Sequence, residues 1–185
     1  MERNRRQKIM SNDVIGTVMI TEEEIAAKAV EIGKRIEADY AGKEVILVGI
    51  LRGAVMWMAD VMKNVNLDMV IDFMAVSSYG SSTKTSGVVR INKDLNTDIE
   101  GKHVIIVEDI VDSGVTLNYL VGYMQSRGAE SVKICALLDK PEGRRVDMDV
   151  DYCGFTVDDR FIVGYGLDYD QKYRNLPYIT WLESN

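Results

Sequence analysis

The chain has few of the features that mark membrane-spanning or secreted proteins. Its 185 residues include two cysteines, two prolines and one histidine. No apolar run approaches the roughly 18 residues that a transmembrane helix requires. The basic N-terminal residues, Arg3 to Lys8, are not followed by an apolar segment of signal-peptide length. These absences predict a cytoplasmic protein with no membrane partner.

The two cysteines do not form a C-x-x-C metal or redox motif. Cys135 and Cys153 each lie in an apolar or strand-like run. Free cysteines in such runs behave as small apolar side chains, and disulfides are rare in reducing compartments. We therefore expect two free, buried thiols.

Composition and charge favour one globular domain that binds small molecules. Hydrophobic residues make up 46% of the chain and charged residues 28%, and no proline-rich linker or internal repeat divides it. The net charge of 22 − 29 = −7 argues against nonspecific binding of nucleic acid. A local cationic patch can still bind a small anion. Residues 1–14 are expected to form a loose N-terminal arm.

Helical and strand patterns alternate along the chain. A capping box from Thr21 to Glu24 opens a helix that extends to about Asp39. The patterns predict further helices at 54–65 and 116–127, and strands at 44–50, 67–76, 88–93, 104–107, 131–138, 152–157, 161–163 and 178–182. This alternation indicates an α/β fold with a mainly parallel twisted sheet flanked by helices. Ligands of such sheets bind beyond the carboxyl ends of the strands, where the loops after residues 50, 107 and 138 should meet.

The most informative segment runs from Val104 to Leu117. Its first four residues are apolar, and Glu108 and Asp109 end the predicted strand. A loop with a third acid, hydroxyls and a glycine then leads into a helix, whose first N–H groups can bind an anion. Carboxylates instead accept hydrogen bonds from hydroxyls or bind metal. The segment therefore predicts a ribose 5-phosphate ligand, and an ordinary strand-to-helix turn with an Asp or Ser cap is the alternative.

Two common nucleotide-binding loops do not match this segment. It lacks the G-x-x-x-x-G-K-[ST] pattern, and its single glycine excludes G-x-G-x-x-G. A second loop, Leu51-Arg52-Gly53-Ala54, also joins a strand to a helix, with an arginine that favours anions. A plain turn with an exposed arginine is the alternative there.

The long polar loop between the predicted strands 67–76 and 88–93 exceeds what a hairpin needs. It is either a surface loop or a lid that keeps water from a reactive intermediate. We predict a flexible lid over residues 77–88.

The segment Val107–Thr116 resembles the phosphoribosyl-pyrophosphate motif of the type I phosphoribosyltransferases. Within them, the chain is most similar to the bacterial hypoxanthine (hypoxanthine-guanine) phosphoribosyltransferases, from about Ile15 to Leu182. The resemblance implies the type I phosphoribosyltransferase fold in a single domain over residues 1–185. It also implies a core at about 15–150 and a small hood, which binds the base, at about 151–185.

The resemblance also implies roles for individual residues. Asp112 would be the catalytic base, and Glu108 and Asp109 would hold the ribose hydroxyls or a metal. The 5′-phosphate would be held by Ser113, Gly114, Val115, Thr116 and Leu117, and the pyrophosphate by Leu51, Arg52, Gly53 and Arg174. Some relatives have a basic residue at position 115 and lysine at position 52. The family often has a non-proline cis peptide between the first two residues of the pyrophosphate loop.

Other residues would hold the base and close the site. Lys140 would donate to the 6-oxo group of a purine, with Phe161 stacking on its ring and the Ile162 backbone bonding its edge. Asp168 would join the purine-binding segment and, with Glu108 and Asp109, hold Mg²⁺ as the cofactor. Ser78 and Tyr79 would form the closing part of the lid.

The predicted activity is purine salvage with hypoxanthine, and also guanine, as the acceptor of a phosphoribosyl group. The resemblance implies small-molecule substrates and a homodimer or homotetramer. Two alternatives stay open. The first is the same reaction on another base, where Lys140 and the Phe161 segment argue against adenine and pyrimidines but do not separate the oxopurines. The second is a regulatory protein that binds RNA or DNA, against which the net charge argues.

Overall fold

The computed structural model describes residues 14–78 and 89–183. Three α-helices lie in this part of the chain, α1 (Glu22–Asp39), α2 (Val55–Met62) and α3 (Val115–Ser126), together with a short 3-10 helix at Pro141–Gly143. The strands are β1 (Val14–Ile15), β2 (Val45–Leu51), β3 (Met69–Ser78), β4 (Val89–Lys93), β5 (His103–Val111), β6 (Ser131–Asp139), β7 (Tyr152–Thr156), β8 (Ile162–Val163) and β9 (Thr180–Glu183). No helix in the described ranges is both long and apolar enough to cross a membrane.

Six strands form the main sheet in the order β4-β3-β2-β5-β6-β7. All neighbours are parallel except β3 and β4, which pair antiparallel at one edge. The central strands contain continuous buried runs, 45–50 in β2 and 134–138 in β6, because both of their faces are covered there, as in buried parallel strands. The predicted α/β fold with a mainly parallel sheet is thereby confirmed.

Helices cover the sheet on both sides. α1 and α2 pack together on one face, and α3 packs on the other against β6. α1 begins at the predicted capping box: Glu24 N donates to Thr21 Oγ1 (3.2 Å), and Thr21 N donates to Glu24 Oε2 (2.8 Å). Its buried stripe includes Ile25, Ile32 and Ile36 at helical spacing.

A second, antiparallel sheet has the order β1-β9-β8. β1 joins it from the N-terminal side of the chain, whereas β7 pairs with β6 in the main sheet. A small cluster of Val163, Tyr173 and Leu176 packs beneath it. The loop from residue 164 to residue 176 leaves this sheet and extends back to the main one.

Two predicted boundaries were wrong by three residues or more. β5 does not end at the acids but continues to Val111, because β6 pairs with it as far as Val111↔Asp139. α2 ends at Met62, three residues before the predicted end. There Asn64 N donates to Val61 O and the Asn64 side chain donates to Asp60 O, which replaces the helical pattern.

Both cysteines are free, as predicted. Cys135 is fully buried in β6, and burial raises the pKa of its thiol to about 12. Cys153 is only half-buried, so the prediction of two buried thiols holds for one of them.

Asp72 is a buried carboxylate that fixes the chain after β4. Oδ1 accepts from Phe73 N (2.7 Å), and Oδ2 accepts from the N–H groups of Asn96 (2.7 Å) and Thr97 (2.8 Å). Burial alone would raise the pKa of Asp72. The N–H groups outweigh burial and lower the pKa to about 2, from an ordinary value near 3.8.

We expect Asp72→Asn to lower the free energy of unfolding at pH 7 by about 1–3 kcal/mol. A lowered pKa stabilises the fold above the unfolded pKa, and this stability is lost as the pH falls from about 4 towards 2. Denaturant titrations across this range measure both effects, with the exposed Asp68→Asn as control. Equal stability of the two variants at pH 7 would contradict the assignment.

Candidate active site

The end of β5 and the start of α3 enclose a cavity of about 220 Å³. It is lined by residues between Glu108 and Leu117, including Asp112, Ser113 and Thr116. Gly114 caps α3 in the left-handed conformation (φ 75°), and a Cβ atom there would lie 2.6 Å from Met148 Sδ. The first turn of α3 directs N–H groups without intrahelical partners towards this space. The cavity therefore has the geometry of an anion site.

Two carboxylates lie at the strand end beside this cavity. Asp109 N donates to Glu108 Oε1 (3.1 Å), and Ile110 N donates to Asp109 Oδ1 (2.8 Å). Burial, and then the adjacent charge of Asp109, raise the pKa of Glu108 well above its ordinary value. Hydroxyl donors or a cation stabilise a carboxylate in this position. The predicted ribose 5-phosphate would bring the hydroxyls, and the predicted Mg²⁺ would be the cation.

The predicted pyrophosphate loop lies against the Asp109 carboxylate. Leu51 ends β2, and the Leu51-Arg52 peptide bond is cis. A Cβ atom at Gly53 would lie 1.5 Å from Asp109 Oδ2, so only glycine allows this approach. The Arg52 side chain is exposed, and its Nη1 donates to Gln171 Oε1 (2.8 Å).

A segment that sequence reasoning missed covers the loop of Asp112. Residues 141–148 follow β6, and a Cβ atom at Gly143 would lie 1.8 Å from Asp112 Oδ1. Arg144 Nε donates to Asp112 O (3.1 Å), and Arg144 also pairs with Asp139. The sequence signal was weak: a glycine and two arginines after a proline.

The predicted base-binding residues lie along the ends of β6 and β8. Lys140 is 7% exposed, and its Nζ contacts Asp159 Oδ1 (2.5 Å) and donates to Arg160 O (3.3 Å). Phe161 is 54% exposed and meets Tyr169 edge-on, with ring centroids 5.4 Å apart. Ile162 is buried in β8. An aromatic ring this exposed is not a core residue, and a planar ligand could stack on it.

Asp168 and Arg174 form an ion pair in the loop that follows β8. Arg174 Nη2 lies 2.6 Å from Asp168 Oδ1, and Asp168 Oδ2 accepts from Gln171 N (2.8 Å). A Cβ atom at Gly166 would lie 2.1 Å from Gly53 O, so this loop touches the pyrophosphate loop. The structure thus brings together the predicted residues of β2, β5 and this loop. Tyr79 and the Ser78 side chain lie outside the described residues.

Comparisons with known proteins agree on one family. Residues 17–170 match the model of the phosphoribosyl transferase domain. The chain is 50% identical over 175 residues to the hypoxanthine-guanine phosphoribosyltransferase of Bacillus subtilis, covering 95% of this chain and 97% of that protein. It is 51% identical over 174 residues to the bifunctional protein TilS/HprT of Listeria monocytogenes, of which it spans only 27%.

Solved structures give the same result. A hypoxanthine phosphoribosyltransferase from Staphylococcus aureus superposes with a TM-score of 0.90 and 45% identity, covering 92% of this chain and 95% of that one. A hypoxanthine-guanine phosphoribosyltransferase from Bacillus anthracis gives 0.88 and 43%, covering 91% and 99%. The chain therefore belongs to the phosphoribosyl transferase family, among the hypoxanthine-guanine phosphoribosyltransferases.

Proposed function

We propose that this chain transfers the 5-phosphoribosyl group of 5-phosphoribosyl 1-pyrophosphate to hypoxanthine, and also to guanine. The products are IMP or GMP and pyrophosphate, and the reaction serves purine salvage. The observation that carries the proposal is the 220 Å³ cavity, with Glu108 at one side and the start of α3 at the other. A ribose 5-phosphate presents hydroxyls, which a carboxylate can bind, and a phosphate, which the start of a helix can bind.

The phosphoribosyl group would be held by charge and by backbone. The N–H groups of residues 113–117 and the hydroxyls of Ser113 and Thr116 would bind the 5′-phosphate. Glu108 and Asp109 would accept from the ribose hydroxyls. Their negative charge would also favour the cationic character that the sugar gains as pyrophosphate departs. Val115 adds no charge here, so the phosphate site depends on N–H groups and hydroxyls.

Asp112 would take the proton released by the base. As purine N9 attacks the anomeric carbon, the bond to pyrophosphate breaks and a proton leaves N7. The Asp112 carboxylate is exposed beside the cavity, where it can accept that proton. Gly143 leaves the space that this carboxylate occupies.

Selection of the base would depend on Lys140. An ammonium group only donates, so it favours the 6-oxo group of hypoxanthine or guanine over the 6-amino group of adenine. In the structure Lys140 pairs with Asp159, which is 63% exposed at its side chain. Lys140 could therefore exchange this partner for the purine, while Phe161 would stack on the ring.

The carboxylates also suit Mg²⁺. Mg²⁺ takes oxygen ligands, and it usually binds through one or two carboxylates together with waters and substrate phosphates. Residues 14–78 and 89–183 contain no cluster of three metal-binding side chains. Glu108, Asp109 and Asp168 would still be able to act as Mg²⁺ ligands, because waters and substrate phosphates would supply the remaining ones. When bound, Mg²⁺ would offset the charge of the departing pyrophosphate. A cytoplasmic location and a dimer or tetramer also stay predictions.

The reaction is tested with 5-phosphoribosyl 1-pyrophosphate, Mg²⁺ and each of five bases in a spectrophotometric assay. We expect turnover with hypoxanthine and guanine, none with adenine or uracil, and loss of turnover with excess EDTA. Turnover of xanthine in the same assay shows whether the site accepts all three oxopurines or only hypoxanthine and guanine. Binding of 5-phosphoribosyl 1-pyrophosphate without turnover of any base would refute the enzymatic function and favour the regulatory alternative.

The role of Asp112 is tested by Asp112→Asn. The variant keeps the shape of the side chain but cannot accept a proton, so kcat should fall about 10²- to 10⁴-fold. The affinity for 5-phosphoribosyl 1-pyrophosphate, measured by calorimetry, should change little. A decrease in kcat of less than about threefold would show that Asp112 is not the base.

The role of Gly143 is tested by Gly143→Ala. The added methyl group would meet Asp112 Oδ1 and displace the carboxylate, so we expect kcat to fall about tenfold or more. Gly122→Ala is the matched control, because a Cβ atom at this position in α3 meets nothing within 4 Å. If both variants keep full turnover, the close approach of Gly143 to Asp112 has no catalytic role.

A further inference from the structure

Gln171 joins Arg52 and Arg174, the two cationic groups that would hold the leaving pyrophosphate according to the family resemblance. Its Oε1 accepts from Arg52 Nη1 (2.8 Å) and from Arg174 Nη2 (3.4 Å). Its backbone N donates to Asp168 Oδ2 (2.8 Å), and Asp168 pairs with Arg174. One amide oxygen therefore lies between two guanidinium groups from parts of the chain 119 residues or more apart.

The backbone around Gln171 is shaped to present this side chain. Tyr169 and Lys172 exchange two backbone hydrogen bonds (3.2 and 2.9 Å), which close a tight turn. Within it, Asp170 (φ 49°) and Gln171 (φ 65°) both adopt the left-handed conformation, which is uncommon outside glycine and Asn. Such conformations persist where the surrounding contacts enforce them, and they cluster at ligand-binding sites.

The turn is also fixed against the pyrophosphate loop. Gly166 approaches Gly53 O so closely that it leaves no room for a Cβ atom. Arg174 Nη1 donates to Gly166 O (2.6 Å), and Gly166 N donates to Arg174 O (2.9 Å). The oxygen of Gln171 therefore lies at a defined position relative to both arginines.

We propose that Gln171 is a positioning residue for pyrophosphate: its amide oxygen occupies the place between Arg52 and Arg174 that a pyrophosphate oxygen takes. This inference rests on the proposed function. Two guanidinium groups repel each other, and an acceptor between them keeps both within hydrogen-bonding distance. In the free protein Gln171 supplies that acceptor, and in the complex the ligand does.

Because the Gln171 amide is neutral, an oxygen of the ligand can replace it between the two arginines. A hydrogen bond to a neutral oxygen is weaker than one in which both groups are charged, so an anionic phosphate can displace it. A carboxylate at position 171 would hold both arginines by charge and would also repel pyrophosphate. The residue at this position thus sets the affinity for the pyrophosphate group, and not the affinity for the purine.

The test compares Gln171→Glu and Gln171→Ala with the unmodified chain. The first keeps the shape and adds a negative charge, and the second removes the acceptor. Asp170→Asn is the matched control, because it changes the charge of the adjacent exposed residue and Asn accepts the left-handed conformation. Thermal unfolding verifies that all variants are folded.

We expect Gln171→Glu to weaken pyrophosphate binding about tenfold in calorimetry with Mg²⁺, and to raise the KM for 5-phosphoribosyl 1-pyrophosphate by a similar factor. Gln171→Ala should leave the same two constants unchanged or lower them, because it removes the neutral acceptor that the ligand has to displace. The KM for hypoxanthine and the Kd for GMP, which lacks pyrophosphate, should stay within about twofold.

The possible outcomes separate this inference from the proposed function. Unchanged pyrophosphate binding in Gln171→Glu overturns the inference even if the unmodified chain is active. An equal loss of pyrophosphate and GMP binding also overturns it, because Gln171 would then only support the loop. If the unmodified chain turns over no purine, the proposed function fails, and pyrophosphate binding by the variants still decides the role of Gln171.

Discussion

The parallel pairing of β2, β5 and β6 is the constraint on which the site depends. Val45 pairs with His103, and His103 with Ser131, so the three strands begin level and run in the same direction. Their following loops must therefore open at the same sheet edge. β5 and β6 both extend beyond β2 on that side: the pairing of β5 with β2 ends at Val107, while its pairing with β6 continues to Val111↔Asp139. The two acids lie on this extension.

Close backbone approaches then bring the loops together at that edge. Gly53 leaves room for the Asp109 carboxylate, Gly143 for the Asp112 carboxylate, and Gly166 for the Gly53 carbonyl. Each contact joins segments that are distant in the sequence. The Asp109 carboxylate is thus held by shape and by a hydrogen bond from Ile110 N, and the Asp112 carboxylate occupies the space that Gly143 leaves. A catalytic group gains from being held before the substrate arrives. The parallel pairing determines that the loops open at the same edge of the sheet, and these glycines determine how closely the loops approach one another.

The sequence was sufficient for the parts of the molecule that depend on local patterns. Buried apolar runs predicted the central strands, and the capping box predicted the start of α1 to within one residue. The end of β5 was misjudged because Glu108 and Asp109 look like loop residues, although pairing with β6 keeps them in the strand. Gly143 lay in a sequence pattern too weak to predict its place in the site, and Gln171 lay in no recognisable pattern. Their roles come from contacts with Asp112 and Arg52, which no local periodicity encodes.

Three cationic groups at the proposed site would allow a chain with a net charge of −7 to accept a highly anionic substrate. Lys140 contacts Asp159, Arg174 contacts Asp168, and Arg52 contacts Gln171. Each cation thus has a partner before any ligand binds. Under the proposed function, the purine would replace the acceptor of Lys140 and the pyrophosphate would replace those of the two arginines, so no cation would be left without a partner at any stage. The strength of each resident acceptor sets how easily its cation is released, and Arg52, whose acceptor is a neutral amide, is the easiest to release.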